Sequence, residues 1–226
     1  TRVNENGLIE EVASNVPRLD YSDGGCPSLL LEPTATNLIT YSEDFNNVSW
    51  IKSNSSVVSG FTSPSGDVSA FKLVENSTTS SHYTEVSGVT VLSGVGIERS
   101  IFVKPNGRNW VKIYNTLVGD RVNFNISTGE VGTVEGTPNS YGIEAYADGW
   151  YRIYSNVTSI NTSEVFRIEI ASSDNVTNYL GDGTSGIYIY GAQLEENSYA
   201  TSYIPTLTGT TQTRVADTAS GSGNST

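Results

Sequence analysis

Short runs of alternating apolar and polar residues follow one another down this chain, and no interval between them carries the apolar repeat of a helix of roughly 10–15 residues. The runs fall at 36–41, 49–52, 70–74, 82–86, 98–104, 109–117, 121–126, 141–147, 150–157, 165–171 and 186–194, punctuated by Gly, Asn, Asp and Ser. Strands in unbroken succession bury their apolar faces by stacking sheet on sheet. The expected fold is therefore an all-β antiparallel β-sandwich with little or no helix. Composition agrees, because Gly, Ser, Thr and Asn are abundant while Leu, Lys and Ala are scarce, a balance that disfavours helix interiors.

At 226 residues the chain suits one such sandwich. Residues 1–28 show weak periodicity and turn signals at Asn6-Gly7 and Asp23-Gly24-Gly25, so an extended amino-terminal arm is expected there. The sandwich is assigned to 29–208, and the Gly/Ser/Thr-rich stretch 209–226 to a linker. With no Met, the chain reads as a piece of a longer polypeptide. No apolar run of 18 residues is present, so no membrane insertion by a helix is expected, and no secretory signal is visible.

Residue counts remove several chemistries. Cys26 is the only cysteine, which rules out an intrachain disulfide, and its expected place is a small buried or half-exposed site beside Pro27. His82 is the only histidine, so a histidine-rich zinc site is excluded, and no G-x-S-x-G elbow accompanies it. The formal charge of -12 argues against nucleic acid as a partner. Arg99, Lys104, Arg108, Lys112, Arg121, Arg152 and Arg167 gather in the middle of the chain, as a local positive patch or as scattered surface charge.

Alternation assigns faces. Ile101 and Val103 point away from Ser100, Phe102 and Lys104, and Phe166, Ile168 and Ile170 away from Arg167 and Glu169. Two runs repeat one order, Trp110-Val111-Lys112-Ile113-Tyr114 and Trp150-Tyr151-Arg152-Ile153-Tyr154. With Val111 and Ile113 inward, Trp110, Lys112 and Tyr114 stand on an outer face, where large aromatics need a reason. Sugar recognition supplies one: the C–H face of a pyranose packs on an aromatic ring while charged and amide groups bond its hydroxyls. The buried side of the second run stays ambiguous, since Tyr151, Ile153 and Ser155 form its other face. Candidate ligand contacts are Trp110, Lys112, Tyr114, Trp150, Arg152, Tyr154 and Arg167, with His82 and Tyr83 at the edge of the loop 76–81. Tyr188 and Tyr190 are assigned to the core, and 181–186 to a turn. The neighbours Glu195-Glu196 and Glu43-Asp44 face opposite sides of a strand and make poor acid–base pairs, whereas Glu144 and Glu169 would have to meet through folding.

Two segments bracket the sandwich and carry a resemblance. The first holds Leu30-Leu31-Glu32-Pro33, Thr36-Asn37-Leu38 and Tyr41-Ser42-Glu43-Asp44-Phe45 followed by Trp50. The second holds Tyr190-Gly191-Ala192-Gln193-Leu194-Glu195, Thr201-Ser202-Tyr203-Ile204-Pro205-Thr206 and Thr213-Arg214-Val215-Ala216-Asp217. Together they resemble the start and end of a carbohydrate-binding-like jelly-roll domain of phage tail and tail-fibre proteins, similar in architecture to the modules attached to polysaccharide-degrading enzymes. Gly149-Trp150-Tyr151-Arg152 also resembles a recurrent strand of that family. The resemblance implies a jelly roll, an extracellular or virion setting and a polysaccharide or surface-glycan partner, with oligomerisation in a fibre. It also implies a structural Ca2+ near Glu43 and Asp44, although Gly191-Ala192-Gln193 stands where the enzyme-attached modules often carry an Asp-Asp pair. The expected function is a non-catalytic carbohydrate-binding module. The alternatives are a structural spacer of a phage tail or other extracellular assembly, and a polysaccharide lyase or hydrolase.

Overall fold

Alternate residues of each long strand turn inward, and two facing sheets share the interior they make. The computed structural model describes residues 1–114 and 119–218. In chain order the main strands are β1 (Ile51–Ser53), β2 (Ser55–Phe61), β3 (Ala70–Glu75), β4 (His82–Thr90), β5 (Gly96–Asn106), β6 (Trp110–Tyr114), β7 (Arg121–Asn125), β8 (Glu130–Glu135), β9 (Ser140–Ala145), β10 (Tyr151–Thr158), β11 (Ser163–Ala171) and β12 (Gly186–Glu196). A front sheet runs in the order β8-β7-β6-β11-β4-β1 and a back sheet in the order β9-β10-β5-β12-β3-β2. Every pairing within them is antiparallel, the arrangement of a jelly-roll sandwich. Residues 115–117 of the expected run 109–117 lie outside the described residues.

Val111 and Ile113 of β6, Val122 and Phe124 of β7, and Phe166, Ile168 and Ile170 of β11 meet Ile97, Ile101 and Val103 of β5, Ile153 of β10, and Ile187 and Ile189 of β12. Their burial supplies the main stabilising term, at about 25 cal/mol for each Å2 of apolar surface removed from water. One charged pair lies within this interior: Arg99 Nη2 donates to Glu164 Oε2 at 2.6 Å. The edge strands β2 and β8 were not among the expected runs. Both are short of apolar residues because most of their side chains meet solvent, so periodicity leaves little trace.

The arm and the tail depart from expectation. Instead of extending away, the arm lies on the outer face of the back sheet, where Ile9 joins Ala70, Phe102, Trp150, Tyr190 and Tyr203 in a second apolar cluster. Gln212–Arg214, assigned to a linker, pairs with Ala35–Asn37. A clasp locks both ends: the Arg18 guanidinium donates to Glu32 at 2.7 Å, to the Ser202 hydroxyl at 2.7 Å, to the Thr1 carbonyl at 3.1 Å and to Asp217. Arg214 reaches the same Glu32 carboxylate at 3.1 Å. Asn37, fully buried, donates to the carbonyls of Ala192 and Ile204 and accepts from the amides of Ile39 and Leu194. The two bracketing segments therefore form a seam that closes the domain. The expected boundaries at 28 and 208 cut through it.

Candidate functional face

Because β6 sends Val111 and Ile113 into the interior, it must send Trp110, Lys112 and Tyr114 to the outer face of the front sheet. Register then fixes their neighbours. Lys112 lies between Glu169 of β11 and Asn123 of β7, and Tyr114 between Arg167 of β11 and Arg121 of β7. One strand further, Tyr83 of β4 faces Glu169 and Glu85 faces Arg167. At the other side Arg121 faces Glu135 of β8. Two rows of polar and aromatic side chains thus cross the sheet.

Each base meets an acid directly across the ladder. Lys112 Nζ lies 3.1 Å from Glu169 Oε2, Arg167 Nε 2.7 Å from Glu85 Oε2, and Arg121 Nη1 2.8 Å from Glu135 Oε2. The hydrogen bond from Arg121, followed by one from Asn175, holds the Glu135 carboxyl below the usual range. Of the two readings of the mid-chain basic residues, a positive patch is absent from this face, whose charges cancel in pairs; elsewhere Arg108 is bound to Glu75 and Arg99 to Glu164. Cations also lie on the rings: Arg167 is 3.7 Å from the Tyr83 centroid and 5.3 Å from that of Tyr114, and Arg121 is 4.6 Å from Tyr114. The order Tyr83, Arg167, Tyr114, Arg121 makes a continuous stack across β4, β11, β6 and β7.

Two features leave this face able to accept a ligand. Among the described residues no acceptor engages either terminal nitrogen of Arg167, whose only hydrogen bond runs from Nε. The indole N–H of Trp110 and the hydroxyl of Tyr83 are likewise without protein partners among the described residues, and both side chains are half-buried. Asn123 donates to the Thr133 carbonyl at 2.8 Å, yet its buried Oδ1 has no partner. The loop after β11 walls the face at its β8 end, since Asp174 accepts from the amide and hydroxyl of Thr133, Asn175 donates to Glu135, and the Thr177 hydroxyl takes Lys112. Trp110 fits under this wall because residue 132 is Gly: a Cβ there would fall 2.4 Å from the indole.

Other expected contacts lie elsewhere. Trp150 is 1 % exposed in the second apolar cluster, beneath the arm, and presents no ring to a ligand. Tyr151 and Ile153 take the inter-sheet interior, which sends Arg152 and Tyr154 to the outer face of the back sheet, opposite the Trp110 face. The matching runs 110–114 and 150–154 thus occupy the two outer surfaces of the sandwich. Arg152 is buried, donating to the Ser100 hydroxyl at 2.9 Å and the Thr201 carbonyl at 2.7 Å, and Tyr154 lies across Gly142. His82 points inward, fully buried, with its ring nitrogens on the carbonyls of Asn54 and Tyr179. Only Tyr83 of that pair reaches the front face.

The acidic residues do not assemble either. Glu43 accepts from the hydroxyls of Tyr190 and Tyr203 at 3.0 Å, and its burial raises its pKa. Asp44 caps the amide of Asn46. Among the described residues no group of three or more His, Cys, Asp or Glu side chains could hold a metal ion. Glu144 projects from the back sheet and Glu169 from the front, so they cannot act on one bond. Sequence reasoning missed Glu85, Arg121, Asn123 and Glu135 as members of the face. The signal was the alternation of Tyr83-Thr84-Glu85 and Arg121-Val122-Asn123, which becomes readable once the register is known.

No family model matches this chain, and no curated protein does. Among solved structures it is similar to the CBM22-1 xylan-binding domain of Paenibacillus barcinonensis Xyn10C, at 12% identity over 74% of this chain and 99% of that one, with a TM-score of 0.43. It is also similar to the CBM22-1 and GH10 modules of Clostridium thermocellum xylanase 10B, at 12% identity over 76% and 30% and a TM-score of 0.41. The enzymatically active domain of bacteriophage CBA120 tailspike protein 4 is similar at 12% identity over 70% and 21%, with a TM-score of 0.41. The match thus spans less than a third of the xylanase and tailspike chains.

Proposed function

We propose that this chain is a non-catalytic carbohydrate-binding domain that holds a polysaccharide or surface glycan against the front sheet, in an extracellular or virion setting. The observation that supports this reading is the Tyr83–Arg167–Tyr114–Arg121 stack, half-exposed on a face with nothing apolar to bury and with the Arg167 fork unengaged. Tyr83 and Tyr114 stand two strands apart, about 10 Å at ordinary strand spacing. Linked pyranose rings laid across the strands would meet both. The free guanidinium nitrogens suit vicinal hydroxyls as donors, and Glu85 and Glu135 supply acceptors beside them. Such a shallow face binds weakly through one copy, and repetition along a fibre would strengthen it by effective concentration.

Affinity gel electrophoresis against a panel of neutral and acidic polysaccharides tests the proposal. Retardation by at least one of them, lost in Tyr114→Ala and in Arg167→Ala, is the expected result. A protein that migrates freely through every gel is a spacer and not a binding module. Release of reducing ends or unsaturated sugars from the same panel would point instead to a hydrolase or lyase.

A further inference from the structure

A cavity of about 590 Å3 lies on the far side of the molecule, between the amino-terminal arm and the outer face of the back sheet. Its size falls in the range of small-molecule sites. The sheet contributes Phe102 and Arg152, the turn after β9 contributes Tyr146, and the arm closes over them with Ile9, Asp20 and Tyr21. The arm is held there by the Arg18 clasp and by the hydrogen bond from the Ile9 amide to the Pro64 carbonyl. The cavity is therefore bounded by fixed elements on both sides.

Its polar groups are incompletely used. Arg152 is 4 % exposed, yet its buried Nε has no acceptor while Nη2 serves Ser100 and Thr201. Tyr146 is half-buried with its ring edge-on to Phe102, centroids 5.0 Å apart, and its phenol O–H is a donor. Glu144 is exposed at the rim and has no hydrogen-bond partner among the described residues. Two arginines, Arg2 and Arg152, the free Glu144 carboxylate and the phenol rings of Tyr21 and Tyr146 thus face a single space.

We propose that this cavity is a second ligand site, one that takes a neutral mono- or disaccharide independently of the front face. The rings offer apolar walls to a sugar's C–H surface, Arg152 and Tyr146 offer donors, and Glu144 offers an acceptor. Asp20, Asp23, Glu32 and Glu144 line the space against two arginines, Arg2 and Arg152, and this excess of carboxylates disfavours acidic sugars. A long polysaccharide would collide with the arm that crosses this face, so a free sugar or a chain end is what fits. The proposal goes beyond the front-face reading and does not depend on it.

Saturation-transfer NMR and calorimetric titration of the full chain provide the test, with methyl glycosides of glucose, galactose, mannose and N-acetylglucosamine, together with cellobiose, maltose and glucuronate. At least one neutral sugar should bind the Tyr114→Ala protein, whose front face is disabled, with affinity at least tenfold weaker when Glu144→Ala or Tyr146→Phe is added. Glu144 is exposed and Phe preserves the ring at 146, so both variants should melt as the parent does. Three results would overturn the proposal: no neutral sugar binds the Tyr114→Ala protein; glucuronate binds it as well as the neutral sugars do; or binding to it survives both Glu144→Ala and Tyr146→Phe.

Discussion

The guanidinium carbon of Arg167 lies 3.7 Å from the centre of the Tyr83 ring, and Nε of the same side chain donates to Glu85 at 2.7 Å. Stacking and the ion pair fix the plane of the fork and leave its terminal nitrogens outward. Lysine keeps the charge at this position but has neither the plane nor the fork. Arg167→Lys should weaken polysaccharide retention at least tenfold while costing about 1 kcal/mol of stability, the scale of one exposed cation–π contact. Affinity electrophoresis and urea unfolding of the same preparation read the two effects separately.

Lys112 and Glu169 form a buried pair on that face, with side chains 6% and 3% exposed. Removing one member strands the other charge. Lys112→Met should therefore destabilise the domain by about 3–5 kcal/mol, and adding Glu169→Leu should recover most of that loss. If the single variant unfolds at the parent's denaturant midpoint, the pair does not constrain the sheet.

Glu98, on the outer face of β5, is pushed up to about 7, chiefly by burial; its one bond from Asn156 and the charges of Arg152 and Arg99 oppose the shift, and Glu195 adds to it. The folded state thus holds this proton more tightly than the unfolded chain, whose carboxyl titrates near 4.5. Stability from this group is complete below about 4.5 and is lost as pH rises through about 7, a change on the order of 3 kcal/mol. Thermal melts between pH 4 and 8 should show the decline, and Glu98→Gln should flatten it.

Trp150→Ala empties the second apolar cluster and should cost about 3–5 kcal/mol. Polysaccharide retention by the fraction that remains folded should match the parent. A selective loss of binding without loss of stability would contradict the buried position of this ring.

The fold was legible because its signals are local. Phe166, Ile168 and Ile170 alternate with Arg167 and Glu169 in sequence just as they divide between core and surface in space. The candidate face was half legible. Trp110, Lys112 and Tyr114 announce an outer surface, but Glu85, Arg121 and Glu135 join them only through register, which links positions up to about 80 residues apart and leaves no local trace. Trp150 misled for a related reason. Its run repeats the order Trp, any residue, base, Ile, Tyr of 110–114, and only the position of β10 in the other sheet, under the arm, decides that the ring is buried. The bracketing motifs were conspicuous because Glu32 is tied to Arg214 and Asp217, and Asn37 to the backbone of Ala192, Leu194 and Ile204, a demand on sequence that concerns closure and not recognition.

The Arg18 clasp ties two stretches that are far apart in the chain to one side chain. Thr1 and Asp217 both touch its guanidinium, so loss of that group would loosen the arm and the segment after β12 together. The seam has a single point of failure, and it is a charge and not a packed ring.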